Sequence, residues 1–364
     1  LELVPELELT FGADTRLVTS ARLRIDSEDR LEPGRPGLES YAGASRPAAI
    51  SDTGTAELRD FFVEWQRENS TFRLGKQQIV WGRLDGIKVL DVVNPQEFRE
   101  FILDDFGDSR IGLWSAYADV TLGSWRAELA LLPDASRHAI PDAGAWFELT
   151  APRFRFGALP GAPTPPVEID PAGHSIDDGA AGLRLSRRFG RYDISAVAYT
   201  GMDHEPLGRL VALDGETRVE RFAERRELYG LGMERSFGRV ILRGEYALQP
   251  GRAFNLRDPH SLAFVELDQH RAALGLDIDA PLGLFINAQY LVDLVSDAPT
   301  GLVRPARDEI TTLFLRRSFG YDKLALELRW YHSVRDSDDM FALGIDYLLT
   351  DNTVLTLGAE RFSG

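Results

Sequence analysis

The chain has 364 residues, 44% apolar and 27% charged, with a net charge of −16 and no cysteine. Without cysteine there are no disulfides, no thiolate catalysis and no cysteine-ligated metal centres. The acidic balance argues against nucleic acid as a partner, because phosphate neutralisation needs basic stripes. No run of 18 apolar residues exists to form a transmembrane helix.

Leu1 begins inside an alternating segment, so no signal peptide is visible and the sequence reads as a mature or trimmed chain. From there, windows with period-two alternation recur along the whole length. They predict sixteen strands, near 1–12, 15–27, 54–68, 71–83, 110–121, 124–135, 179–189, 191–203, 224–236, 239–250, 265–278, 282–295, 307–319, 322–334, 338–349 and 353–362. In 323–333, Leu324, Leu326, Leu328 and Trp330 take one face, and Lys323, Glu327, Arg329 and Tyr331 the other. In 341–349, Phe341, Leu343, Ile345, Tyr347 and Leu349 oppose Ala342, Gly344 and Asp346. About ten tilted residues with one apolar and one polar face cross a bilayer.

Short turns, such as Leu122-Gly123, Phe189-Gly190-Arg191 and Phe237-Gly238, alternate with long connections near 28–53, 84–109, 136–178 and 204–223. That asymmetry, with aromatics beside the turns, predicts a single all-β domain over 1–364: an antiparallel transmembrane β-barrel of a Gram-negative outer membrane. A soluble β-sandwich also alternates, but it does not predict short and long connections in strict succession. The first and last connections are both short, which puts both visible termini on the outer face. Periplasmic termini then require one strand before Leu1 and one after Gly364, eighteen in all; the alternative is that sixteen strands close the barrel.

Several polar-face residues are candidates for the lumen. Arg243 and Glu245 share one face, as do Glu327 and Arg329, and Arg126 and Glu128. Opposed charges of this kind pair across a barrel wall, or create a transverse field in an open pore. Arg73, Lys76, Gln77 and Arg83, with Gly75 and Gly82, precede a loop over 84–109 that is too apolar to lie free in water. Asn94, Pro95 and Glu97 predict a helix start there, with Phe98, Phe101 and Ile102 on one face. The expectation is that this loop folds inward as a constriction, its acids near Arg73, Lys76 and Arg83. Asp91, Asn94, Asp104, Asp105, Asp108 and Arg110 are its polar candidates. Asp104, Asp105 and Asp108 are also a weak Ca²⁺ candidate, although the spacing is not that of an EF-hand loop.

Segment 136–178 carries Trp146, Phe147, Phe154 and Phe156. It caps the barrel mouth or offers an apolar surface to a lipophilic ligand or protein partner. The six histidines, at 138, 174, 204, 260, 270 and 332, show no metal-ligand spacing. His174, Ser175 and Asp177 have triad residue types but sit in one short loop where Ser and Asp are turn formers. No cofactor and no enzymatic activity are expected; the expected partners are the bilayer and its lipopolysaccharide, with periplasmic or outer-membrane proteins as further candidates.

The runs Leu74-Gly-Lys-Gln-Gln-Ile-Val-Trp-Gly-Arg-Leu-Asp-Gly86 and Asp91-Val-Val-Asn-Pro-Gln-Glu-Phe-Arg-Glu-Phe-Ile-Leu-Asp-Asp105, followed by Ser109-Arg-Ile111, resemble the proteobacterial outer-membrane family known as domain-of-unknown-function family 1302. The tail Asp351-Asn-Thr-Val-Leu-Thr-Leu-Gly-Ala-Glu-Arg-Phe362 is similar too. The resemblance implies one further strand at each end. It also implies association with export or uptake of lipids and hydrophobic compounds, in a family without a settled activity. The Gly75-Lys-Gln-x-x-x-Trp-Gly82 run is faintly similar to alginate exporters, which implies a polysaccharide or polar-solute porin as the alternative. A barrel that anchors a partner complex without transporting is the third expectation.

Overall fold

The structure is a computed structural model that describes all residues except 31–37, 52, 101–106, 142–143, 150–166, 170–176, 214–215 and 258–261. Alternation of β-branched, aromatic and polar residues drives nearly every element into strands. The wall consists of β1 (Glu6–Phe11, extended past Pro5 by Glu2–Leu3), β2 (Thr15–Ile25), β3 (Gly54–Arg67) and β4 (Ser70–Gln77). It continues with β5 (Leu113–Leu122), β6 (Trp125–Leu132), β7 (Ala180–Phe189), β8 (Tyr192–Met202), β9 (Arg225–Phe237) and β10 (Val240–Asn255). The last six strands are β11 (Phe264–Ala280), β12 (Leu284–Val295), β13 (Arg307–Phe319), β14 (Leu324–Ser333), β15 (Asp338–Thr350) and β16 (Thr353–Ser363).

Each wall strand pairs antiparallel with the next, in one uninterrupted meander from β1 to β16. Among the described residues no ladder joins β16 to β1. Glycines with positive φ, including Gly190, Gly238 and Gly320, close the short hairpins, where a left-handed residue matches the strand twist. The long connection between β8 and β9, which the sequence predicts as a loop over 204–223, forms its own hairpin, Leu207–Leu213 with Glu216–Phe222. Val167–Ile169 adds to it as a parallel third strand.

The two faces of the wall differ. Leu129, Leu131, Leu231, Leu274, Leu343, Ile345 and Leu357 stand exposed on the outside. Glu64, Glu128, Glu245, Gln269, Asn287 and Gln289 are buried on the inside. A water-soluble sheet would hide its apolar face; here that face is the outer surface, as strands that cross a bilayer require. The chain is an outer-membrane β-barrel.

The helix predicted from Asn94 does not form. Residues 96 and 97 are extended and bridge to Arg110 and Ala139. The Asn94 side chain does not cap a helix; it accepts from the Ile79 amide at 2.7 Å and donates to the Ile111 carbonyl at 2.8 Å. Its carboxamide therefore ties the two legs of a loop together. Glu97, read as the capping-box acid, is held by Arg99 and lies near the Tyr41 hydroxyl. Phe101 and Ile102 lie outside the described residues.

Candidate functional site in the barrel interior

The chain leaves the wall after Gln77 and returns at Leu113. Between these points, residues 78–95 run through the interior. Gly82 and Asp91 meet at the base of the excursion: a Cβ on Gly82 would lie 2.8 Å from that of Asp91. Residues 83–90 form a compact lobe above that base, an Ω-like loop with closed ends.

The lobe touches strands far apart in the sheet. Both oxygens of Glu245, on β10, accept from it, from the Arg83 amide at 2.5 Å and the Leu90 amide at 3.0 Å. The Arg83 guanidinium reaches Asp193 on β8 at 2.5 Å and Glu234 on β9 at 3.7 Å. Asp85 pairs with Arg243 on β10 at 3.0 Å, and its carbonyl accepts from Gln289 on β12. Gly86 lies against the Tyr331 hydroxyl of β14. In a flat sheet with strands about 4.8 Å apart, β8 and β14 would stand about 29 Å from each other. Arg83 and Gly86, which touch them, are three residues apart, about 10 Å at full extension, so the wall curls around the lobe.

Glycines on the inner face make the room. A Cβ on Gly182 of β7 would lie 2.5 Å from the Trp81 ring, one on Gly275 of β11 2.8 Å from Leu84, and one on Gly230 of β9 2.2 Å from Leu90. The sequence predicts this role for Gly75 and Gly82, which as glycines leave room for a segment to pack against the wall. Gly75 is closed off by its own wall, since a Cβ there would meet the Phe61 carbonyl at 2.1 Å. The missed signal was glycine recurring on the polar register of several strands.

Trp81, Leu84, Ile87, Val89 and Leu90 pack with Ala130, Leu132, Val197, Tyr199, Leu228, Ala247, Ala273 and Leu291 in one buried apolar cluster. These wall residues belong to strands between β6 and β12, so an apolar stripe crosses the inner wall beneath the lobe. Elsewhere the inner wall is ionic. Glu64 is fully buried between Arg16 at 2.7 Å and Arg73 at 2.6 Å. Glu128 takes Arg184 at 3.0 Å and the Tyr117 hydroxyl at 2.7 Å, while Arg126 pairs with Asp119. Arg243 pairs with Asp277 at 2.7 Å, and Glu327 with Arg316 and Arg329 at 3.3 Å each.

The acids of 84–109 do not gather at Arg73, Lys76 and Arg83 as expected. Arg73 is taken by Glu64, and Lys76 donates to the Ser45 carbonyl at 3.2 Å. Arg83 is taken by wall acids. Asp91 instead pairs with Arg110 at 2.7 Å, with Lys88 3.8 Å away, and Asp108 with Arg59 at 3.3 Å. Gln77 donates to the Ser115 carbonyl at 3.3 Å. Asp104, Asp105, Phe154, Phe156, His174 and Ser175 lie outside the described residues. Trp146 is exposed with the Arg30 guanidinium 4.7 Å from its ring centre, and Phe147 is half-buried. No group of three or more candidate metal ligands occurs among the described residues.

Burial pushes the Lys88 ammonium down to about 7; neighbouring Asp91 opposes the shift and Arg110 adds to it. Above the lobe, the Gln96 amide donates to His138 Nδ1 at 2.8 Å, and the His138 and His204 rings meet edge to face. Burial lowers His138 to about 3 and holds His204 well below its usual range, so both stay neutral near pH 7. Burial alone would raise Asp203, but Arg252 and Arg226 bring it down to about 2.

An antiparallel wall with an apolar outside, an ionic inside and an inward-folded loop defines the class, an outer-membrane β-barrel. The chain belongs to the family described as "Protein of unknown function (DUF1302)", whose model matches residues 10–338. Among solved structures it is similar to OmpT, an outer membrane protein of Vibrio cholerae, at 9% identity and a TM-score of 0.47, covering 100% of this chain and 91% of that one. It is also similar to the outer membrane channel DcaP of Acinetobacter baumannii, at 7% identity and 0.47, covering 100% and 84%. A third is Pseudomonas aeruginosa OpdK with vanillate, at 9% and 0.47, covering 100% and 87%. No curated protein matches the chain in sequence.

Proposed function

We propose that the protein is a channel or transport component of the outer membrane, in which the lobe 83–90 is the constriction. Its cargo is a hydrophobic or lipid-like small molecule. The observation that carries this reading is the apolar stripe from Ala130 to Leu291 under the lobe. Barrel interiors that serve polar solutes are lined with polar groups. An apolar surface that only a removable lobe covers suits a cargo with an apolar body. The ionic remainder of the lumen, around Arg83, Arg243 and Asp277, suits a polar head on the same molecule.

A fluorescent fatty-acid probe tests the cargo class. It is expected to bind protein in which 83–90 is replaced by Gly-Gly, and to lose that binding on Leu228→Gln. Sugar permeation into liposomes without probe binding would contradict the reading and favour a polar-solute or polysaccharide porin.

A further inference from the structure

Three short hairpins share a tetrapeptide. Arg187-Arg188-Phe189-Gly190, Arg235-Ser236-Phe237-Gly238 and Arg317-Ser318-Phe319-Gly320 each end a strand at its turn. In each, the arginine stands two residues before the phenylalanine and so on the same face. That face is the outer one: Leu183, Leu185 and Phe189 are exposed on β7, Leu231 and Phe237 on β9, and Phe319 on β13 with Leu326, the cross-strand neighbour of Arg317. Three arginines therefore project on the lipid side, at the end of the wall that carries the short turns, which is the periplasmic end.

Each guanidinium lies over the ring of its own phenylalanine. The distances are 4.4 Å for Arg187 on Phe189, 4.2 Å for Arg235 on Phe237 and 4.7 Å for Arg317 on Phe319. Second rings support two of them: Trp125 lies 5.1 Å from Arg187, and Tyr192 lies 4.4 Å from Arg235. Stacking fixes the guanidinium plane and leaves its edge free to donate. The inner-wall arginines described above all meet a carboxylate. Among the described residues these three meet none, and the Nε of each has no hydrogen-bond partner. Arg235 donates only to the Tyr192 hydroxyl. In a chain with 57 acidic residues, three stacked arginines without acids on the lipid face are placed for an anion that the bilayer supplies. Exposed Arg188, Arg191, Arg239 and Lys323 beside the same turns add to the local positive charge.

We infer that the Arg-x-Phe-Gly hairpins are three binding sites for the phosphate of anionic phospholipids in the periplasmic leaflet. The stacked guanidinium donates to the phosphodiester oxygens, and the exposed leucines above each arginine meet the acyl chains. The inference is independent of what crosses the lumen.

Native mass spectrometry of the full chain in detergent, titrated with phosphatidylglycerol, a neutral glycolipid of the same acyl chains, or inorganic phosphate, tests it. The wild type is expected to retain up to three phosphatidylglycerol molecules, and to bind the neutral lipid and free phosphate far more weakly. The variant R187Q/R235Q/R317Q keeps the apolar stems and is expected to lose phosphatidylglycerol affinity by about tenfold or more. If the triple variant fails to fold, each single variant is expected to remove one retained lipid. Equal retention of charged and neutral lipid by the wild type would overturn the inference. So would free phosphate binding as tightly as the lipid, or variants that retain the full complement.

Discussion

Glu245 is the residue on which the interior arrangement turns, because its two oxygens hold the two ends of the lobe. Glu245→Ala leaves both amides buried without an acceptor, at about 1–3 kcal/mol for each. The expected loss is roughly 2–4 kcal/mol, read as a lower urea midpoint for the barrel in detergent, with Glu245→Gln falling between the two. An unchanged midpoint for the alanine variant would mean that the lobe is not anchored there. Lys88 supplies a pH dependence whose sign follows from burial. Docked, it loses its proton near pH 7; free in water, it keeps it to about 10.4. The undocked lobe binds more protons between those values, so docking strengthens as pH rises from 7 to about 10 and is weakest below 7. Channel noise from lobe opening is expected to be greater at pH 6 than at pH 9. Lys88→Met should flatten the dependence; a slope that survives the substitution would assign it to another group.

At the scale of elements, strand, turn and lobe differ in what the chain alone declares. The inner-face glycines are the most testable contact between them. Gly182→Val forces a branched side chain into the Trp81 ring and is expected to cost about 1–3 kcal/mol by overpacking. It should also shift tryptophan emission to the red as Trp81 meets water. Gly244→Val, whose Cβ would find its nearest neighbour, Leu274, at 3.4 Å, is the comparison and should fold normally. The strands were legible because period-two alternation is local and each residue declares its own face. The lobe was legible only in part. Its apolar content pointed inward, but the helix read from Asn94-Pro95-Glu97 failed because the Asn94 carboxamide found better partners at Ile79 and Ile111. Those partners lie 15 and 17 residues away, and local capping rules do not see them. The ion pairs were misassigned for the same reason. Which wall acid meets Arg83 depends on how far the sheet curls, and no single strand encodes that.

Across the whole molecule, the outer face solves the problem of lipid contact and the inner face is divided between charge and an apolar stripe. The lobe joins the two halves of that inner face, its leucines on the stripe and Arg83 and Asp85 on the ionic side. Because Gly82 and Asp91 meet at its base, the lobe can be removed without stretching the chain. Replacing residues 83–90 with Gly-Gly and recording conductance in a planar bilayer tests most directly whether this lobe obstructs a channel. A low or intermittent conductance is expected for the wild type and a larger, steady one for the replacement, with folding verified by resistance to urea. Equal conductance in both proteins, or none in either, would contradict it.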